Sequence, residues 1–550
     1  MRRGPWLCLA AALAGLLGYV GWLRPADSFG RFHDDTIFFT SARALAEGAG
    51  YVLPSAPESP AQRKYPVLYP WLLSWVWRWH PGFPDNLGAA TWLTTGFGCA
   101  YLTAAFLLLR RLGGLGEWAA VGGVILTAFH AFFLLLCGSV MSDVPFLALA
   151  LWAAVAADRA MEAGAGKGRM LAALAGVLAS LSLLTRTVGL AVVAGVVTAA
   201  LFRRRYRLAA WMAAGVGPCL LAAIPRGGAV APSGPPGWVQ TWAYYHSYRE
   251  AWRLSIPNMD ALRAMLSENL RDLLTTPSSL VLFPPLGGEG SYAGVLLSVT
   301  LTFGIAAGVL RLGRDGGWGA IHFIFPLYAA AAMLWNYAIM DRFLLLFLPV
   351  FYAGAWREAT HLAGMVRRSL EPRRPLADRV VAVALGLALA GVAGWSARHY
   401  LGGLRPQLRS LGSQRAALLE EKKQAYDWVR RHTDAAERFV ACEDAALYLY
   451  TGRQALWPMA FTTGAFYLRD GAMVAGQVNH FEDVARHIGA RYWLSAEGDY
   501  WLEGRDPAVA AKLAQWGVRF PVLFRSSGGR VRIHDLSSLR ELSRSPRPGA

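Results

Sequence analysis

Long apolar stretches recur along the first 400 or so residues, and they restrict the chain to folds that live in a lipid bilayer. A helix needs roughly 20 apolar residues to cross about 30 Å of hydrocarbon. Hydrophobic residues make up 55% of the chain and charged residues 16%, which is more apolar than an ordinary soluble domain. The sequence therefore predicts an α-helical polytopic membrane protein. About eleven crossings are predicted, at 6–23, 87–109, 117–137, 144–160, 170–184, 188–202, 208–226, 291–310, 318–337, 343–356 and 379–396.

Arginine and lysine cluster between the predicted crossings in a pattern that sets the orientation of the chain. Cytoplasmic loops retain Lys and Arg, and eleven crossings place every dense basic cluster on one side. This orientation predicts a cytoplasmic N-terminus, outer-face loops at 24–86 and 227–290, and a tail on the outer face. The net charge of +18 then reflects topology, so nucleic acid is not an expected partner.

The chain changes character after about residue 400. Residues 1–400 form the predicted transmembrane domain, whereas 401–540 combine a polar helical stretch with short runs typical of strands. Val518 to Phe524 and Arg530 to His534 are joined by Ser-Ser-Gly-Gly, which predicts a hairpin. We therefore expect a small extracytoplasmic α/β domain at 401–540 and a disordered tail at 541–550. Two further strand candidates are Arg438 to Ala441 and Arg491 to Leu494.

Asp34 and Asp35 form an acid pair about a dozen residues beyond the first predicted crossing. Ionised side chains beside a bilayer are costly, so acids in this position are candidates for function. Residues from Asp34 to Glu47 place apolar side chains near helical spacing, which predicts a helix along the membrane surface with both acids at its N-terminal end. A plain N-cap role for one of the acids is the alternative.

More charged residues follow on the same predicted face. Arg63 and Lys64 precede an aromatic, proline-rich stretch that contains Tyr65 and Tyr69. Snorkelling cations and an aromatic belt would explain each of these residues singly, but not why acids and cations share one loop. Asp143 stands between the third and fourth crossings, where an N-cap of the fourth is the alternative role.

Arg186 and Arg342 lie at the outer ends of crossings, against the usual charge bias. Arginine can bind phosphate through two parallel hydrogen bonds, so a phosphate partner would explain both positions. A salt bridge between Asp341 and a neighbouring cation is the competing account.

The order of these segments resembles that of the polytopic glycosyltransferases of the GT-C fold. The similarity is greatest to the bacterial branch related to protein O-mannosyltransferases and to the lipid A aminoarabinose transferase, and it covers roughly residues 1–400. In the aminoarabinose branch a glutamate commonly precedes the lysine, where this chain has Arg63. The segments that carry the resemblance are the acid pair, Lys64-Tyr65-Pro66, Ser142-Asp143-Val144-Pro145-Phe146, Thr185-Arg186 and Asp341-Arg342-Phe343-Leu344.

This resemblance implies an inverting enzyme of the bacterial inner membrane. It implies transfer of a sugar from a polyprenyl-phosphate donor to a lipid, glycan or protein acceptor on the outer face. Asp34 is then the candidate base, Asp35 shares or orients that role, and Asp143 helps to hold acceptor or sugar. The implied phosphate contacts are Lys64, Arg186 and Arg342. The implied substrate-lining residues are Arg63, Tyr65 and Tyr69.

The sequence predicts no metal site and no certain cofactor. His33 lies beside two acids, but further ligands at suitable spacing are absent. Some relatives use a divalent ion and others do not, so metal dependence stays open. CxxC, HExxH and Walker-type motifs are absent, which argues against a thiol redox enzyme, a zincin and a P-loop pump.

A transporter or flippase for polyprenyl-linked lipids is the alternative function. Such a protein is expected to carry internal repeats or charged residues near the bilayer midplane, whereas here the acids gather at one face. A structural membrane subunit is a third possibility, which leaves the outer-face acids and cations unexplained.

The loop at 227–290 contains one apolar stripe at helical spacing. The stripe predicts a helix that covers the substrate cavity, with a helix at the membrane interface as the alternative. Its members are Met259, Leu262, Leu266, Leu270 and Leu273.

Overall fold

The chain forms a helical body followed by a small sheet domain in a computed structural model. The predicted disordered tail at 541–550 lies outside the described residues. The structure describes residues 3–22, 29–112, 115–223, 233–246, 249, 252–253, 256, 258–282, 292–336, 341–370, 375–457, 471–499 and 507–539.

Helices account for most of the body, because an α-helix satisfies its own backbone hydrogen bonds where lipid offers no partner. A 3₁₀ turn, Leu345–Phe347, links the short α15 to α16. The helices of the body are α1 (Arg3–Trp22), α2 (Asp34–Ala46), α3 (Leu68–Trp79), α4 (Leu87–Leu109), α5 (Glu117–Ala128), α6 (Ala131–Cys137), α7 (Asp143–Glu162), α8 (Ala165–Leu183), α9 (Gly189–Phe202), α10 (Tyr206–Ala223), α11 (Pro236–His246), α12 (Met259–Leu282), α13 (Tyr292–Gly316), α14 (Ala320–Met333), α15 (Asp341–Leu344) and α16 (Leu348–Ser369).

Within the part of the chain that the structure describes, four helices, α1, α4, α7 and α13, are long and apolar enough to cross a bilayer. The crossing predicted at 117–137 is instead the pair α5 and α6, bent by 63° at the break between them. Counting that pair as one span gives five, and α9 and α14 are shorter apolar helices. The chain is a membrane protein, and the count of eleven crossings stays a prediction.

The bundle is built around α7, which packs against α4, α8 and α9. Close approach of two other helices depends on glycine, because α13 and α16 meet at Gly308 and Gly354. A Cβ atom on Gly308 would lie 1.9 Å from the carbonyl oxygen of Gly354. Small residues of this kind allow helix backbones to pack closely in lipid.

The two ends of α7 differ in their charge. Arg111 pairs with Glu162 at the C-terminal end of α7, and nearby Arg357 contacts Asp315 at 2.6 Å. A 20-residue helix is about 30 Å long, so this end lies about 30 Å from Asp143. The basic segments predicted to be cytoplasmic are therefore remote from the candidate site residues.

The loop helix α12 does not bury the stripe that the sequence predicts. Its buried face carries Ala261, Met265 and Asn269, whereas Leu270 is 49% exposed. The amide of Asn269 donates hydrogen bonds to the carbonyl oxygens of Met333 at 3.0 Å and Trp335 at 2.9 Å. A buried amide needs such partners, so α12 buries the face that carries Asn269, and Leu262, Leu266 and Leu273 of the predicted stripe are only half-buried.

One helix of 57 residues, α17 (Leu376–His432), joins the body to the tail. It includes both the last predicted crossing and the polar stretch that follows. The predicted boundary at residue 400 thus falls inside a continuous helix, because both halves are rich in residues that favour helix.

The tail forms a five-stranded sheet with the strand order β2-β1-β3-β5-β4. β1 pairs in parallel with β2 and β3, and β5 pairs antiparallel with β3 and β4. The predicted hairpin is confirmed, although Val518 belongs to the preceding helix instead of the strand. The elements are β1 (Phe439–Ala441), α18 (Asp444–Thr451), β2 (Ala455–Leu456), α19 (Gly471–His487), β3 (Tyr492–Ala496), α20 (Pro507–Arg519), β4 (Val522–Arg525) and β5 (Val531–Asp535).

Cysteine labelling tests the orientation of the chain. In a background without native cysteines, Ala61→Cys and Ala436→Cys place exposed thiols in the first loop and the tail, and Ala165→Cys places one at the first residue of α8. We expect an impermeant maleimide to label positions 61 and 436 in intact spheroplasts and position 165 only after lysis. The reverse pattern would contradict the topology and the outer-face position of the site.

Candidate active site

The acid pair lies at the first turn of α2, immediately after a residue in an unusual backbone conformation. His33 precedes the helix with φ at 57°, a left-handed value that non-glycine residues seldom adopt. Successive residues of a helix point about 100° apart. Asp34 and Asp35 therefore face different surroundings.

Asp35 is fully enclosed and binds backbone. Its carboxylate accepts hydrogen bonds from the N–H groups of Gly30 at 3.0 Å and Thr36 at 2.8 Å. Burial raises the pKa of Asp35 to about 7, although both backbone bonds act against that rise. Asp35 does not line the cavity described below, and it ties the loop before α2 to the start of the helix.

Asp34 keeps part of its carboxylate accessible and is surrounded by positive charge. The Tyr65 hydroxyl donates to its Oδ1 at 2.5 Å, and Arg342 Nη2 lies 3.8 Å from its Oδ2. Burial opposes ionisation of Asp34, but Arg342, Lys64 and the Tyr65 bond outweigh burial and hold the pKa of Asp34 below its usual range. The group is thus an ionised carboxylate able to accept a proton.

The second acid, Asp143, begins α7 and forms an ion pair. Its Oδ2 lies 2.6 Å from Nη1 of Arg186, and the Asp143 side chain is almost fully buried. The Arg186 guanidinium also lies over the ring of Phe343, 5.5 Å from the centroid. The cation at the end of α8 is therefore held by an acid from the neighbouring helix.

A cavity of about 390 Å³ is lined by Asp34 and by Arg186, the partner of Asp143, whereas Asp143 itself does not line it. One end is polar and the other is an apolar wall formed by α9 and α14. The polar end is lined by Asp34, Tyr65, Ser142, Thr185 and Arg186. The apolar wall includes Leu190, Ala191, Ala194, Leu327 and Ala331.

Lys64 is buried beside this cavity and does not line it. Its Nζ lies 3.5 Å from the ring centroid of Tyr244 in α11 and 5.1 Å from that of Tyr65. Burial lowers the pKa of Lys64 to about 8, while Asp34 and Asp444 act in the opposite direction. The ammonium thus faces aromatic rings and two acids.

Two residues expected to line the substrate cavity lie elsewhere. Tyr69 is fully buried in the core, where its hydroxyl is 2.7 Å from Thr94 Oγ1, because α3 turns this face towards α4. Arg63 is half-buried, and its charge acts to lower the pKa of His246 in α11. Of the three residues in this group, only Tyr65 lines the cavity.

A second cavity of about 460 Å³ lies on the other side of Asp34, between the body and the tail. It is highly charged. Arg342 belongs to its wall, and the buried Nε of Arg342 has no hydrogen-bond partner among the described residues. Charged and titratable lining residues include Arg31, His33, Lys422, Glu443 and Asp499.

The tail contributes a buried acid that the sequence analysis missed. Asp444 Oδ1 is 2.9 Å from His33 Nε2, and Asp444 Oδ2 accepts a hydrogen bond from the Tyr245 hydroxyl at 2.7 Å. The available signal was the acid pair Glu443-Asp444, which follows the strand predicted at Arg438 to Ala441 after one residue.

The described residues include no group of three or more His, Cys, Asp or Glu side chains placed to hold a metal ion. The partners of Asp34 are cations and a phenol. This donor set does not fit a divalent cation, which prefers several oxygen ligands.

Solved structures resemble the chain over most of its length. ArnT from Cupriavidus metallidurans bound to undecaprenyl phosphate is 14% identical, with 100% of each chain covered and a TM-score of 0.51. The archaeal oligosaccharyltransferase AglB from Archaeoglobus fulgidus, in complex with an inhibitory peptide and a dolichol-phosphate, is 12% identical. That match covers 90% of this chain and 70% of the other, with a TM-score of 0.51.

No family model and no curated protein matches the sequence. At these low identities the structural likeness shows the fold alone. The chain has the GT-C fold, which confirms the resemblance seen in its motifs.

The Asp143–Arg186 pair predicts a characteristic stability pattern. Arg186→Gln leaves a buried carboxylate without its cation, which typically costs on the order of 3 kcal/mol. We expect Arg186→Gln to lower the Tm in detergent more than the double variant Asp143→Asn/Arg186→Gln does. Equal Tm values for the two proteins would contradict a coupled pair.

Proposed function

We propose that the protein is an inverting glycosyltransferase of the bacterial inner membrane. It moves a sugar from a polyprenyl-phosphate donor to a lipid, glycan or protein acceptor on the outer face, where its C-terminal domain lies. The observation that carries this proposal is the cavity in which Asp34 and Arg186 share a polar end that continues into an apolar wall.

The apolar wall suits the lipid part of such a donor. Leucine and alanine side chains of α9 and α14 offer no polar partner and can contact an isoprenoid chain. ArnT and AglB, which share this fold, are bound in their structures to undecaprenyl phosphate and a dolichol-phosphate. A polyprenyl phosphate with its phosphate at the polar end would match both halves of the cavity.

The charges near the polar end favour an anion. Lys64, Arg186 and Arg342 are three cations, and Asp34 and Asp143 are two acids, which leaves one net positive charge. A sugar phosphodiester carries one negative charge and would balance that excess. Arg186 lines the cavity. Arg342 and Lys64 do not line it, but both interact electrostatically with Asp34, which does.

The transfer needs a base on one side of the sugar and stabilised phosphate on the other. Asp34 takes the proton of the acceptor hydroxyl, and the acceptor oxygen forms a bond to the anomeric carbon. The bond from that carbon to the phosphate oxygen breaks, and the electron pair leaves with the phosphate. The cations stabilise the charge that develops there, and attack from the opposite face inverts the anomeric centre.

The remaining acids support these groups. Asp35 fixes the start of α2 through two backbone bonds, and Asp143 orients Arg186. The second cavity lies close to Asp34, since its wall includes His33 and Arg342, and we assign it to the acceptor, whose hydroxyls can bond to its charged side chains.

Replacement of Asp34 tests the base. Cells that lack the protein should lose one sugar modification from an envelope component, as seen by mass spectrometry, and the wild-type gene should restore it. Asp34→Asn keeps the shape but loses the base, so we expect about 10²- to 10⁴-fold less modification. Because the pKa of Asp34 is held low, the wild-type base stays ionised in mildly acidic medium.

The exposed tail acid Asp434 provides the matched control, and Asp434→Asn should restore the modification fully. Normal modification by Asp34→Asn together with an inactive Asp143→Asn would assign the base to the other acid. Unaltered envelope glycans in cells without the protein would refute the glycosyltransferase, and accumulation of polyprenyl-linked sugar on the inner leaflet would favour a flippase.

Replacement of the three cations tests the proposed phosphate site. Arg342→Lys keeps the charge but loses the planar pair of donors, so it should weaken binding of undecaprenyl phosphate in nanodiscs by about tenfold. Arg186→Gln and Lys64→Gln should weaken it as well. Arg357→Lys, at the remote end of the bundle, should bind as the wild type does. Unchanged binding in the first three variants would contradict this site.

A further inference from the structure

We propose that Asp444, from the C-terminal domain, is a positioning residue that sets the catalytic carboxylate of Asp34 through His33. This inference rests on the proposed function, since it assigns a role in that reaction to a side chain from the tail. Asp444 begins α18 and is fully buried between the tail and the body.

The Asp444 carboxylate connects three separate parts of the chain. Its Oδ1 lies 2.9 Å from Nε2 of His33 before α2, and it also accepts the N–H of Ala445 at 2.7 Å. Its Oδ2 accepts the hydroxyl of Tyr245 from α11 at 2.7 Å. The first loop, α11 and the tail thus meet at one carboxylate.

His33 transmits this contact to Asp34. The His33 backbone has φ at 57°, and its carbonyl oxygen accepts the Thr36 hydroxyl at 2.7 Å and the N–H of Ile37 at 3.2 Å. A residue in this conformation costs free energy that its surroundings must supply. The bond to Asp444 holds the imidazole, and the strained backbone at position 33 sets the direction in which the next side chain, Asp34, leaves the helix.

Aromatic rings enclose the imidazole on two sides. The Trp457 ring centroid lies 5.8 Å from that of His33, and the Tyr245 ring centroid lies 6.4 Å away. These rings leave the side chain of His33 17% exposed, on the side of the second cavity. The imidazole is therefore confined as well as hydrogen-bonded.

The charge of the pair also acts on Asp34. Burial disfavours the imidazolium, but Asp444 and Asp34 outweigh burial and raise the pKa of His33, while Lys64 acts against them. A protonated His33 lowers the pKa of Asp34 in turn. The charged and titratable groups that face His33 are Arg31, Asp34, Lys64, Tyr245, Arg342, Lys422, Glu443, Asp444, Glu497 and Asp499.

The test compares two contacts between tail and first loop. Asp444→Asn removes the charge at His33, whereas Gln454→Ala removes a contact at the same interface, from Gln454 Nε2 to the Pro54 carbonyl oxygen at 3.3 Å and Ser59 Oγ at 3.4 Å. We expect Asp444→Asn to reduce the envelope modification by about 10- to 100-fold, as a misplaced group does. Gln454→Ala should leave the modification unchanged.

Two further readouts separate positioning from loss of structure. Full-length Asp444→Asn protein in nanodiscs should bind undecaprenyl phosphate within about twofold of wild type, since the donor cavity does not include Asp444. In protein labelled with ¹³C-histidine, the His33 signal is identified by its loss in His33→Asn. The pKa of His33 should fall in Asp444→Asn and stay unchanged in Gln454→Ala.

The pH dependence of activity tests the same effect of Asp444 on the pKa of His33. Because Asp444 raises the pKa of His33, activity that needs the imidazolium is lost as pH rises through that value, and Asp444→Asn should move this loss to lower pH. The double variant His33→Asn/Asp444→Asn should be no less active than either single one, since both residues act as a unit.

Three results would overturn the inference: full modification by Asp444→Asn, equal losses in Asp444→Asn and Gln454→Ala, or loss of undecaprenyl phosphate binding in Asp444→Asn. Each leaves the proposed function intact when cells without the protein still lose the modification. If those cells keep unaltered glycans, the proposed function itself fails and this role fails with it.

Discussion

An ionised carboxylate in a largely buried position is the constraint on which the rest of this site depends. Burial acts to raise the pKa of Asp34, and the cations Arg342 and Lys64 together with the Tyr65 hydroxyl outweigh burial and lower it. Buried charge is tolerated only when it is paired and hydrogen-bonded. The neighbours of Asp34 come from two other segments of the chain, at 64–65 and at 342, so these segments must be in place before the carboxylate is stable in its ionised form.

The same constraint explains why the two adjacent acids differ in the direction of their pKa shifts. Asp35 has only backbone donors and no cation, and its pKa rises to about 7. Asp34 has cations and keeps its charge. Environments that shift the pKa values of two carboxyl groups in opposite directions are typical of sites in which the two groups have separate roles. Under the proposed function, this division makes Asp34 the group that takes the proton, while Asp35 holds the turn through its backbone bonds.

Much of the fold follows from the sequence, because apolar length and strand patterning are local signals. The helices at the predicted crossings and the hairpin of β4 and β5 needed no knowledge of distant contacts. For the site, the sequence predicted which segments come together, but not which way each side chain points. Asp34, Asp143 and Arg186 do converge, but Tyr69 faces the core and Lys64 lies under Tyr244, since both positions depend on how helices rotate against each other. Asn269 shows the same limit, because α12 buries the face that carries this amide and leaves the predicted leucine stripe only partly buried.

Asp444 was beyond prediction for a further reason, which bears on the tail itself. It lies 411 positions from His33 in the chain, and no local pattern links an acid after a short strand to a histidine before a helix. A catalytic apparatus confined to the membrane body would gain nothing from a buried carboxylate supplied by another domain, since a buried acid costs free energy unless it is paired. The pairing of Asp444 with His33 and Tyr245 offsets that free energy only when the tail, the first loop and α11 are packed together. The charge state of His33, and through it that of Asp34, therefore depends on the docked arrangement of all three.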